Sequence, residues 1–113
     1  MEKEKIIENK SYDFAKRIIK VYKYLTSKNE YILSKQLMRS GTSIGANVTE
    51  AQYSISKKEF RSKMSIALKE AAESRYWIKL LKDEVLSEKE AKSLLDDLEE
   101  IINILVKIVK NAG

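Results

Sequence analysis

Glu70 and Glu73 stand three residues apart, a spacing that puts two carboxylates on one face of a helix. Paired carboxylates can hold a di-iron centre inside a helical bundle, but such centres complete their ligand set with Glu-x-x-His pairs. The chain has no histidine and no cysteine. That composition removes the commonest general base, the thiolate nucleophile and the usual zinc ligands. Glu70 and Glu73 therefore read as ion-pair partners of Arg39, Arg75 or a lysine, and no metal or cofactor is implied. Lys69, next to Glu70, reads as a surface ion pair rather than an amine of lowered pKa. The serines lack a base to activate them, and no phosphate-cradling or dinucleotide-binding glycine loop is present. These residues argue against an enzyme.

The remaining chemistry is electrostatic. The net charge is +5, a balance that favours polyanionic partners without naming one. Lys16, Arg17, Lys20 and Lys23 fall on one arc of a helix, with Tyr12 and Tyr24 near enough to stack on bases. Lys57, Lys58, Arg61 and Lys63 crowd the start of another helix. Positive charge at a helix N-terminus opposes the macrodipole, which hints at a use beyond stability. The competing reading of both patches is a plain solvated surface.

These side chains must be carried by helices. The 113 residues include no proline, only 3 glycines and 35% charged residues, a composition that reads as all-α and as one domain spanning 1–113. The apolar spacing predicts helices over about 10–27, 31–53, 57–84 and from 88 onward. Ser56-Lys57-Lys58-Glu59 and Ser87-Glu88-Lys89-Glu90 match capping boxes and place the last two helix starts. Turns this short join antiparallel neighbours, so the expected architecture is an up-down-up-down four-helix bundle. No apolar run is long enough for a membrane span. The charged N-terminus has no apolar signal core behind it, so a cytoplasmic protein is expected.

Two patterns point to contacts beyond an ordinary core. Gly41 and Gly45 fall inside the second helix among Ser40, Thr42, Ser43 and Ala46. Glycine there costs about 1 kcal/mol relative to alanine, a cost that close approach of another helix would offset. Arg39, Ser43, Asn47 and Glu50 form a polar stripe beside them, either a solvated face or a seam fixing register between helices or subunits. The third helix has an apolar seam through Phe60, Met64, Ala67, Ala71, Ser74, Ile78 and Leu81. It also has a second seam, Ile66, Glu70, Glu73, Trp77 and Leu80. That second seam is either a contact between subunits or the edge of a wide core.

Three segments carry a resemblance: Ser11-Tyr12-Asp13-Phe14-Ala15, the run from Leu33 to Ala51 with its core Arg39-Ser40-Gly41-Thr42-Ser43-Ile44-Gly45-Ala46-Asn47, and the run from Ile66 to Leu81. Together they resemble the four-helix-bundle family of intervening-sequence proteins, encoded in insertions within some bacterial large-subunit ribosomal RNA genes and widely elsewhere in bacterial genomes. The resemblance covers nearly the whole chain. It implies an antiparallel four-helix bundle assembled as a barrel-like homopentamer. A related branch, the accessory variability protein of diversity-generating retroelements, implies a basic surface that binds nucleic acid and a reverse transcriptase. The resulting expectation is a non-enzymatic homo-oligomer that binds RNA or DNA, with structured RNA or an RNA–protein complex as the leading partner. Its rival is a protein-interaction scaffold whose lysines serve solubility.

Overall fold

The structure, a computed structural model, describes residues 2–112. Four helices follow one another: α1 (Glu2–Ser27), α2 (Ile32–Ala51), α3 (Lys57–Glu84) and α4 (Glu88–Asn111). Each packs on its neighbours in sequence, α4 returns to close on α1, and the backbones of the diagonal pairs stay apart. The result is the up-down-up-down bundle, 44 × 20 × 19 Å. Its length is that of α3, because 28 residues at about 1.5 Å rise each span about 42 Å.

The turns are set by local chemistry. α1 ends in a Schellman motif: Asn29 takes φ 65°, the Glu30 amide donates to Leu25 O and the Asn29 amide to Thr26 O. Asparagine is among the few non-glycine residues that tolerate this left-handed backbone. Glu30 then starts α2, its carboxylate accepting from the Leu33 and Ser34 amides at 3.2 and 2.7 Å. The Ser56 and Ser87 hydroxyls accept from the Glu59 and Glu90 amides, as their motifs predict. The Glu59 carboxylate reaches back to the Ile55 amide rather than to that of Ser56.

α1 begins eight residues earlier than the expected start near residue 10. Glu2 to Lys5 are charged and hide the periodicity, yet Ile7 is fully buried and continues the core arc of Phe14, Ile18, Val21 and Leu25. α2 is shorter than expected, because Gln52 and Tyr53 already belong to the turn. The core is apolar except for four buried serines, Ser11, Ser34, Ser40 and Ser74. Ser40 and Ser74 hydrogen-bond to each other at 2.8 Å across α2 and α3, and Ser74 also donates to Glu70 O in its own helix.

Candidate functional site

The glycines of α2 face α1. A methyl group built on Gly41 would meet Ile18 Cγ1 at 2.9 Å, and one built on Gly45 would meet the Ser11 carbonyl oxygen at 3.4 Å. Gly41 is thus needed for the packing of a stiff, branched side chain, whereas Gly45 leaves room for one methyl group.

The polar stripe of α2 and the second seam of α3 form a single side of the bundle. Arg39 reaches across from α2 and pairs with both Glu70, at 3.1 Å, and Glu73. Trp77 Nε1 donates to the same Glu73 carboxylate at 3.0 Å. Lys63 and Glu50 tie the other end of this side at 2.8 Å. Ser43 and Asn47 sit between these ties, but each donates to a carbonyl of its own helix, Arg39 O and Ser43 O. Neither of these hydrogen bonds crosses to α3. The Ser40–Ser74 hydrogen bond crosses that interface. Trp77 packs on the edge of the core while remaining partly exposed. Tyr76 lies against its ring edge-on at 5.1 Å, and Ile66 and Leu80, further along the same helix, are 37% and 36% exposed. One arginine shared by two half-buried carboxylates, beside exposed apolar side chains, makes a surface rather than a pocket. Among the described residues no cluster of three or more potential metal ligands forms.

The two basic groups lie apart. α1 and α3 are diagonal in the bundle, so their outward faces point in opposite directions. Lys16 to Lys23 lie in the second half of α1, while Lys57 to Arg61 lie at the far end of the molecule. Arg17 does not belong to the outward face: it turns toward α4, where it pairs with Asp97 at 2.6 Å and Glu90 at 3.7 Å and donates to Ser93 Oγ. Arg61 stays exposed but reaches across to α4, its Nε donating to Val109 O near the end of that helix. Lys20, Lys23, Lys57 and Lys58 form no ion pair among the described residues. Lys16 meets only its helix neighbour Asp13 at 3.8 Å and lies over the Tyr12 ring at 5.1 Å. Tyr24 is covered in the same way by Lys28 at 5.8 Å.

Cations at the seams between helices are neutralised. Lys10 pairs with Glu100, Arg75 with Glu99 and Lys63 with Glu50. The hydrogen bond to Glu100 holds the Lys10 pKa above its usual value, and that to Glu50 does the same for Lys63. The outward face of α1 has no such partner on another helix, and apart from the long Lys16–Asp13 pair its positive charge is presented to solvent and to whatever approaches from it. Its lysines rise on a rigid helix, about 6 Å apart per turn-and-a-fraction step, with an aromatic ring beneath one of them.

No helix among the described residues is long and apolar enough to cross a membrane. The family model described as 23S rRNA-intervening sequence protein matches residues 3–107. A crystal structure at 1.70 Å of a protein of unknown function from the S23 ribosomal protein family of Bacteroides thetaiotaomicron is similar to this chain. The two are 42% identical, with 96% of this chain and 99% of the other covered and a TM-score of 0.94. Neither match names an enzyme. No curated protein matches.

Proposed function

We propose, because the chain belongs to the 23S rRNA-intervening sequence protein family, that it is a non-enzymatic, homo-oligomeric protein that binds structured RNA through the outward face of α1. The observation that carries this reading is the contrast between neutralised seams and an uncompensated face. Lys10, Arg17, Lys63 and Arg75 are paired across helices, whereas Lys20 and Lys23 are not paired among the described residues and Lys16 is paired only weakly. Lysines so exposed bind phosphate as mobile point charges and read no sequence, which matches recognition by backbone electrostatics. The family's link to ribosomal RNA supports RNA over DNA. The proposal follows that link rather than the reverse-transcriptase branch of the resemblance.

The α2–α3 side supports self-association. Trp77, Ile66 and Leu80 offer partly exposed apolar area beside Arg39, and tryptophan and arginine are among the residue types enriched at interfaces. The resemblance points to five copies, and the charged N-terminus without an apolar signal core to the cytoplasm. In such an assembly the α1 faces of several protomers act together, and the field of a modest charge per chain is multiplied.

Replacing Lys16, Lys20 and Lys23 with glutamine keeps the helix, because the two residue types have similar helix propensity. The triple variant is expected to bind RNA more weakly and to flatten the logarithmic salt slope, by about 0.7 to 0.9 for each lost phosphate contact, with assembly unchanged. Undiminished binding would move the interface elsewhere. An absence of RNA binding by the parent protein at low salt would leave the protein-interaction scaffold as the reading.

A further inference from the structure

An open cleft of about 600 Å³ lies at the end of the bundle where α2 turns into α3, lined in part by Ala51, Gln52, Ser54, Ile55, Lys57 and Phe60. Its size is within the range of about 300–1,000 Å³ typical of small-ligand sites. Three properties of its walls are not accounted for by the stability of the fold. Ser54 Oγ is buried and is the one such side-chain atom without a hydrogen-bond partner among the described residues. A buried polar group of that kind is costly unless something supplies the missing partner. Ile55 is 92% exposed and its neighbour Tyr53 81% exposed, an apolar tip in a turn that polar residues would serve as well. Lys57 and Lys58, at the same edge, form no ion pair among the described residues.

We propose that this cleft receives one unstacked nucleobase of a single-stranded RNA segment. The inference rests on the RNA-binding reading above and deepens it. A nucleotide unites a flat apolar face, a rim of hydrogen-bonding groups and a phosphate. The cleft offers the three matching features side by side. Phe60 and Ile55 supply apolar wall for the faces of the base, in the manner by which single strands are held on stacking platforms. Ser54, which lines the cleft, supplies a hydrogen bond to its edge when its hydroxyl rotates from its buried position to another staggered rotamer. The Gln52 side chain donates through Nε2 to Val48 O, which leaves its amide oxygen for an exocyclic amino group. Lys57 and Lys58 meet the adjoining phosphates. A lipid or an apolar peptide would use the wall and waste the polar groups, and a base paired in a duplex cannot enter. Glu4 lines the cleft from α1, about 18 Å of helical rise from Lys16. One short strand therefore reaches both the cleft and the outward face of α1.

The test is a titration of the full chain at low salt with a short RNA carrying one 2-aminopurine, as a single strand and as a duplex. Binding is followed by anisotropy and base unstacking by 2-aminopurine emission. On the single strand the emission is expected to rise on saturation, and on the duplex to stay constant. The variant Ser54→Ala with Ile55→Ser changes only turn residues, and Trp77 emission checks that it folds. It should bind the single strand about tenfold or more weakly and bind the duplex as the parent does. Saturable RNA binding with silent 2-aminopurine, or a variant that binds the single strand as tightly as the parent, overturns the cleft assignment and leaves the RNA-binding function standing. Failure of the parent to bind either RNA overturns both.

Discussion

Gly41 and Gly45 look equivalent in the sequence, two glycines four residues apart in one helix, yet their surroundings make opposite demands. A methyl group on Gly41 collides with both branches of Ile18, Cγ1 at 2.9 Å and Cγ2 at 3.0 Å, and a β-branched side chain inside a helix has little rotamer freedom to move aside. Gly41→Ala is expected to destabilise the bundle, because overpacking costs about 1–3 kcal/mol and outweighs the gain in helix propensity. Gly45→Ala meets its nearest atom at 3.4 Å, so the propensity gain of about 0.5–1 kcal/mol is retained. Urea unfolding of the two variants should therefore move the midpoint in opposite directions. Equal shifts would show that the two contacts are equivalent after all. Arg17 makes a second contrast at this scale. Its pairing with Asp97 and Glu90 makes it a tie between helices, not a contact for phosphate. Arg17→Gln should cost about 1 kcal/mol or less in stability while the salt slope of RNA binding stays at its parent value. A flattened slope would return Arg17 to the binding face.

At the scale of the helices, the ends are held by side chains and the seams by a mixture of packing and charge. The Ser87 hydroxyl caps α4, and its replacement by alanine is expected to cost about 1 kcal/mol, read as a lowered midpoint in thermal unfolding. Restoration by Ser87→Asp would assign the loss to the cap and not to packing. The seam between α1 and α4 is the most sparsely packed of the four, and long side chains bridge it, Lys10 to Glu100 and Arg17 to Asp97. Because Lys10 and Lys63 have pKa values raised by their carboxylate partners, their contribution is fully present below the ordinary lysine pKa. It disappears as pH rises through the raised value. Both pairs are exposed, so added salt should shrink the effect. A Lys63→Met variant should show a smaller alkaline loss of stability than the parent, and identical profiles would remove this pair from the account.

At the scale of the whole molecule, the bundle presents distinct surfaces on distinct sides. The α2–α3 side has a partly exposed tryptophan beside shared charges, the α1 face has uncompensated lysines, and one end has the cleft beside Phe60. Self-association through the first leaves the α1 face open to solvent. Trp77→Ala truncates the largest side chain on the α2–α3 side and leaves Glu73 without its indole donor. It is expected to reduce the mass measured by light scattering at micromolar concentration, while the helical content of each chain persists. A parent protein that is monomeric under those conditions would remove the self-association proposal, and an unchanged mass in the variant would place the contact on another side.

The sequence by itself determined the class of structure and the order of its parts. Four apolar arcs at helical spacing, two capping boxes and the absence of proline leave one economical arrangement, because local periodicity and short turns depend only on neighbours in the chain. The early start of α1 escaped that reading because Ile6 and Ile7 are an isolated apolar pair in a charged stretch, and only packing shows that Ile7 is buried while Ile6 stays exposed. The cap from Glu30 and the hydrogen bond between Ser40 and Ser74 escaped for the same reason, since serine and glutamate have many uses. Tertiary structure alone decided which cations are compensated. Lys16, Arg17, Lys20 and Lys23 form one patch by composition, but the helix rotation that buries Ile18 also turns Arg17 onto the carboxylates of α4 and leaves the three lysines outward. It also decided that the basic residues of α1 and α3 stand on diagonal helices, and that the polar stripe of α2 and the second seam of α3 form one side. Each of those outcomes depends on which helices become neighbours and on how each is rotated about its axis, and both are set by packing between residues far apart in the chain.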